Sequence, residues 1–334
     1  MLLLIQDKGQ RNKIKKILFL CLFLSKGDWI KIEEKYYKVW ISLIKNLGIK
    51  RYRSLLKLFK TNKNIYNAKE ENLKKCERIG EKSIKQILDK NIRIMAKRHF
   101  DYMLKNNIDI VFIDDDDYPR ILKEIYDAPV SMYVRGNKDI LNNFNLAIIG
   151  CRDATEYGKK VAQQLSFNLS KNNINIVSGL ARGIDSMAHL GTVYAKGKTI
   201  AVLGNGVDIV YPKENFYLAE KIIENGGAII SEYPIGTRAD KMNFVARNRI
   251  ISGLSRGVII VEAKQKSGTL LTVDFALEQG RDIFVVPGNI DSINSFGTNK
   301  LIKQGGKVVT DYIDVLEEYI VWKIIKILTM LKIY

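Results

Sequence analysis

Six short, predominantly apolar runs, at residues 146–149, 174–178, 199–203, 227–231, 257–262 and 282–286, punctuate the second half of the chain, and each gives way to a polar or glycine-bearing loop. They lack the polar–apolar alternation of a half-solvated strand, so both of their faces must be covered. Segments of helical spacing stand between them. After the first run, Val161, Ala162, Leu165 and Leu169 fall on one helical face. This alternation predicts an α/β fold with a Rossmann-like, open, mostly parallel sheet and helices on both faces. In such a sheet the ligand crevice lies at the carboxyl ends of the strands.

Five loops are expected to converge on that edge. They are Gly150-Cys151-Arg152; Ser178 to Asp185, with Gly179 and Arg182; Gly204-Asn205-Gly206 running on to Tyr211-Pro212-Lys213; Arg247-Asn248-Arg249; and Ser267-Gly268-Thr269 to Thr272. Glycines and small hydroxyls offer close backbone N–H and O–H donors, and Arg152, Arg182, Lys213, Arg247 and Arg249 supply positive charge. Together they suit phosphate, and the junction after residue 149 is a strand-to-helix turn of the kind that attracts anions. Phe216 and Tyr211 are placed to stack on a base, the other half of single-strand binding. Asp185 and His189 stand four apart on one helix face and are expected to be a structural pair holding the loop. Neither metal-ligand spacing nor a cofactor fingerprint is present, and no catalytic residue is expected.

The chain of 334 residues carries 54 Lys and Arg against 36 Asp and Glu. The excess is local. Residues 1–110 hold 27 basic and 11 acidic side chains, a balance of +16, which leaves +2 for the other 224. A basic amino-terminal region beside a nearly neutral body suggests a polyanion partner. Three cysteines, Cys21, Cys76 and Cys151, fit no disulfide framework and suggest a reducing, cytoplasmic compartment. Residues 11–24 imitate a secretory signal, but the apolar octet is short, no small-residue cleavage site follows, and Lys26, Asp28 and Lys31 come too soon for a membrane span.

Four regions are expected: an extension at 1–34, a helical domain at 35–105, the sheet domain at 106–311 and an apolar helical tail at 312–334. Within the helical domain, Leu43 to Ile49 and Cys76 to Lys82 each resemble a helix-hairpin-helix turn, with Asn46 and Arg78 where the first glycine usually lies. Such turns present backbone N–H groups to phosphate or serve packing alone. The acidic run Asp114 to Asp117, beside Tyr118-Pro119, is expected to be a solvated turn and not a metal site.

From about Tyr36 to Thr310 the chain resembles the DNA-processing protein A (DprA/Smf) family. The resemblance rests on Tyr118-Pro119, Tyr133 to Gly136, the Gly150/Arg152 loop, Ser178 to Asp185 with His189, Tyr211-Pro212, Ser231-Glu232, Phe244 with Arg247-Asn248-Arg249, Ser267 to Thr272, Pro287-Gly288, and Gly297 with Asn299, Leu301 and Ile302. It implies a non-enzymatic protein that binds single-stranded DNA, dimerises and helps load the RecA recombinase in natural transformation. On this resemblance Arg152 is the motif arginine, and Lys213 with Phe216 is the charge-plus-aromatic contact. Asn299, Leu301, Ile302 and Val308 correspond to the dimer-forming segment. Cys151 replaces the usual Ser or Thr, and the family's frequent winged-helix domain has no counterpart in Tyr312 to Tyr334.

The competing reading is a nucleotide-monophosphate phosphoribohydrolase of the lonely-guy type, whose phosphate loop carries an essential glutamate. Here Thr272 takes that place, and a hydroxyl without a neighbouring base cannot do acid/base work. A dinucleotide oxidoreductase is weaker, because Gly150 to Thr155 lacks the fingerprint spacing.

Overall fold

A computed structural model describes residues 26–319 of the chain, with side chains from residue 32. The apolar octet at 17–24 and the tail beyond 319 lie outside the described residues. The chain forms two compact units that divide between Tyr102 and Met103.

The first unit is all helical: α1 (Lys26–Ser42), α2 (Ile49–Phe59), α3 (Asn62–Tyr66), α4 (Glu70–Leu73), α5 (Glu81–Leu88) and the start of α6 (Lys90–Lys105). Trp40, Leu55, Ile65, Leu73 and Ile87 are fully buried. Tyr66 meets Trp40 edge-on at 4.9 Å and carries the Arg93 guanidinium over its ring at 4.1 Å. Both hairpin turns are present. Asn46 and Arg78 adopt φ of 60° and 65°, so each keeps the left-handed conformation a glycine would supply. Asparagine tolerates it; arginine holds it at a cost of about 1 kcal/mol or more.

The second unit is built on a nine-stranded sheet. The strands are β1 (Ile108–Phe112), β2 (Ser131–Gly136), β3 (Asn145–Ile149), β4 (Asn175–Ser178), β5 (Thr199–Val202), β6 (Ala228–Ser231), β7 (Gly257–Ile260), β8 (Asp282–Val285) and β9 (Lys307–Val308). Their spatial order is β1-β2-β6-β5-β4-β3-β7-β8-β9. Six of them are the runs expected from the sequence, and they pair in parallel. The unexpected β1 and β2 form an antiparallel hairpin-like pair that docks antiparallel on β6. β9 adds two residues to β8 at the far edge.

Helices α7 (Arg120–Lys123), α8 (Glu156–Lys171), α9 (Ile184–Tyr194), α10 (Phe216–Glu224), α11 (Lys241–Gly253), α12 (Gly268–Glu278) and α13 (Phe296–Lys303) belong to the same unit, and residues 312–319 are helical as well. One core face joins Leu146, Ile148, Ile176, Ile259 and Phe284 to Ala162, Leu165 and Leu169 of α8 and Ile184 and Ala188 of α9. The alternate strand residues Ala147, Val177, Val258 and Val285 are equally buried, so the opposite face is covered too. Sequence order reverses at β3, which has β4 on one side and β7 on the other. The loops leaving β3 and β7 diverge there and open a crevice. No helix among the described residues is long and apolar enough to cross a membrane.

Candidate nucleic-acid interface

A cleft of about 620 Å³ lies at this switch point. Gly150, Arg152 and Asp153 after β3, Lys241, Phe244 and Asn248 of α11, and Lys264, Ser267, Gly268 and Thr269 at the start of α12 are among its lining residues. Tyr211 and Phe244 form its aromatic wall, stacked at 5.5 Å with their planes 26° apart. The exposed Arg152 guanidinium lies 5.8 Å from the Phe244 ring centre, in cation–π range. Lys264 is 3.8 Å from Asp153, and Lys241 is exposed at the mouth. Positive charge therefore outweighs negative along the rim.

The floor is made by groups that hold one another. Arg247 is buried, and its Nη1 donates to the carbonyls of Gly179, at 2.9 Å, and Val202. Burial lowers its pKa to about 10, against the pull of Asp185. The Asp185 carboxylate accepts from the backbone N–H of Gly179 at 3.1 Å and of Ala181 at 3.4 Å. Burial pushes its pKa up, and Arg247 and these donors oppose that shift. A side chain on Gly179 would collide with both Arg247 and Asp185 at 2.7 Å, so the glycine makes room for the pair.

Asp185 and His189 do not pair. Thr199 Oγ1 donates to the Ile176 carbonyl at 2.7 Å, so it accepts the Nδ1–H of His189, also at 2.7 Å. Nε2 is left without a partner among the described residues, and burial lowers the imidazole pKa to about 3. His189 belongs to the core, and Asp185 holds the loop without it.

Several sequence-predicted site residues turn out to be committed inside the protein. Ser178 donates to the Ile148 carbonyl at 2.7 Å. Asn205 is fully buried and donates to the carbonyls of Gly206 and Ile209. Arg249 lies two residues past Arg247 on α11 and points elsewhere, into ion pairs with Asp127 at 2.8 Å and Glu232 at 2.7 Å. Gly150 does not open space for phosphate, because an added Cβ would strike Ile184 at 2.5 Å, and Gly204 lies under Phe244 in the same way. Gly268 is different: nothing lies within 4 Å of where its Cβ would be. It opens α12 behind the Ser267 cap, whose hydroxyl accepts from Thr269 N–H at 3.1 Å. Cys151 is buried, and that burial raises its thiol pKa.

Lys213 and Phe216 lie outside the cleft lining, on the 3-10 turn Lys213–Asn215 and the first residue of α10. Both are exposed, Phe216 at 49%, beside Tyr217 at 81%. Arg182 reaches this turn through a two-pronged ion pair with Glu214. Lys241 and Lys264 line the cleft without any motif to mark them. In a lysine-rich chain, only their place at the ends of α11 and β7 distinguishes them.

Comparison with known proteins agrees with this architecture. Residues 109–320 match the family described as DNA recombination-mediator protein A. The chain is 47% identical over 205 residues to the DNA processing protein DprA of Streptococcus pneumoniae, covering 61% of this chain and 72% of that protein. It is 37% identical over 281 residues to protein Smf of Synechocystis, covering 83% and 70%. The X-ray structure of the Streptococcus pneumoniae protein superposes with a TM-score of 0.67 at 36% identity, over 85% of this chain and 97% of that one. A Helicobacter pylori DNA processing protein A structure, described for its single-stranded DNA binding mode, gives 0.58 at 31% identity over 64% and 95%. With its sheet, its switch-point cleft and these matches, the chain belongs to the DNA recombination-mediator protein A (DprA/Smf) family.

Proposed function

We propose that the protein binds single-stranded DNA along this cleft and acts in DNA recombination and transformation by protecting the strand and helping to load the RecA recombinase. The observation that carries the reading is the rim of Arg152, Lys241 and Lys264 beside the Tyr211/Phe244 wall and the open Gly268. Cations hold the phosphates and the rings stack on bases of any identity, so binding has little base preference. Phosphate contacts release counterions, so affinity falls log-linearly with salt. A titration of single- and double-stranded DNA over a salt series tests this. Arg152→Glu is expected to weaken single-strand binding and flatten the salt slope, whereas equal affinity for both forms or a flat slope for the parent removes the proposal.

The phosphoribohydrolase reading is not favoured. Thr272 is buried at the cleft margin where that chemistry needs a carboxylate. Asp185 is held by Gly179 and Ala181, and Asp153 faces Lys264. The protein acts without turnover, and incubation with nucleoside monophosphates is expected to release no free base.

Self-association is assigned to the far edge of the sheet. Leu301 and Ile302 of α13 are half-buried, and Val308 on β9 is exposed. Asn299 contributes indirectly, since its side chain bonds the N–H and carbonyl of Gly288. A dimer aligns two clefts and raises avidity. Ile302→Glu is expected to give a folded monomer with weaker DNA binding, read by sedimentation; a monomeric parent at micromolar concentration overturns it.

A further inference from the structure

The helical unit contains an internal duplication. Positions in the first hairpin recur 32 residues later, with Ile44, Leu47, Gly48, Tyr52 and Leu55 corresponding to Cys76, Ile79, Gly80, Ile84 and Ile87. All of these except the two glycines are buried, and the glycines cap α2 and α5 in the same extended conformation.

Two hydrogen bonds show how the copies are arranged. The Lys45 N–H in the first turn donates to Gln86 Oε1 on α5 at 2.8 Å. The Ser54 hydroxyl on α2 donates to the Glu77 carbonyl in the second turn at 2.6 Å. Under the same shift, Lys45 corresponds to Glu77 and Ser54 to Gln86, so each turn is tied to the other copy's helix at the equivalent place. That exchange is the signature of a two-fold relation between the hairpins.

The relation also pairs the charges. Lys50 and Arg53 on α2 correspond to Lys82 and Lys85 on α5, and all four are exposed. Residues 45–90 hold 14 Lys and Arg against five Asp and Glu. Two like basic patches related by a dyad suit a polyanion with two backbones related by a dyad. Duplex DNA has that symmetry and a single strand does not.

We propose that the paired hairpins form a second nucleic-acid surface that straddles duplex DNA, with Lys50 and Arg53 on one phosphate backbone and Lys82 and Lys85 on the other. The contact is to phosphates and carries no sequence preference. The copies are unequal: Glu77 stands where the first copy has Lys45, and Glu81 where it has Ile49. The first hairpin therefore makes the stronger contact.

The test uses the full chain and short labelled DNA, single-stranded and duplex, read by fluorescence anisotropy over a salt series. K50E/K82E is expected to weaken duplex binding about tenfold or more and to lower the log–log salt slope by about two, with single-strand affinity kept. K50E alone costs more than K82E. Three results overturn the proposal: duplex affinity unchanged in the folded double variant, the loss falling on the single strand instead, or an equal loss in K69E/K97E, which makes the same charge change outside the hairpins. Should the reversals fail to fold, K50Q/K82Q removes the charges with isopolar amides and reads the same slope.

Discussion

The carboxylate of Glu262, at the end of β7, lies 3.0 Å from the backbone N–H of Thr155, 107 residues earlier, and occupies the amino-terminal end of α8. Thr155 caps this helix by accepting from Gly158 N–H at 3.0 Å, and its hydroxyl in turn donates to Glu262. Asn294 Nδ2 adds a donor at 3.2 Å. The helix start that the sequence offers to a phosphate is thus already filled by the protein's own anion, and the Arg152 loop is fastened to β7.

Glu262→Ala strands these donors in a buried site, and is expected to cost about 2–3 kcal/mol of stability. The vacated helix end is then open to a small anion. Thermal melts in sulfate and chloride at matched ionic strength check this: sulfate is expected to raise the melting temperature of the variant more than that of the parent.

Phe244 belongs to the cleft and Phe216 does not line it. Phe244→Leu keeps an apolar side chain over Gly204 but removes the ring stacked with Tyr211, and is expected to lose about 1–3 kcal/mol of single-strand binding. Phe216→Ala is expected to lose less. Anisotropy on a homopolymeric strand separates them.

Glu214 holds the Arg182 guanidinium beside the exposed Lys213. Glu214→Gln releases Arg182 and removes a negative charge from this edge. Single-strand affinity is expected to rise about threefold at low salt, with the gain disappearing as salt screens the site.

His189 is held neutral in the core with its pKa lowered from 6.5 to about 3. The unfolded chain takes up a proton that the folded one refuses, so this contribution is complete above pH 6.5 and is lost as pH falls toward 3. Within that window stability drops by about 1.4 kcal/mol per pH unit. His189→Asn keeps a donor for Thr199 without the titration. The parent-minus-variant stability difference, measured by denaturant melts, is expected to shrink steadily on acidification through this range.

The parallel sheet was legible because β3 to β7 are buried on both faces, as is the end of β8, and all six are therefore written as predominantly apolar runs. β1 and β2 sit in the 106–145 stretch among turns and charges, and β9 has only two residues, too few for any periodicity. The cleft's position followed from strand-end loops, but the roles within it did not. Arg152, Arg247 and Arg249 are alike in sequence. Their fates are set by distant partners: an aromatic face for the first, the Gly179 and Val202 carbonyls for the second, Asp127 and Glu232 for the third. Likewise, Gly150 reads as a phosphate glycine until Ile184 is seen to fill the space beside it.

The division between a locked floor and a charged rim also sets the tempo of binding. Arg247 is spent on holding two loops together, so the attraction felt by an approaching strand comes from side chains at the solvent boundary. Their field extends about 8 Å at physiological ionic strength, which speeds capture. The same solvent access lets counterions compete for each phosphate in turn, so a bound strand can be peeled away stepwise without the floor rearranging. On the proposed reading, such a surface is expected to exchange strands quickly instead of holding one for long.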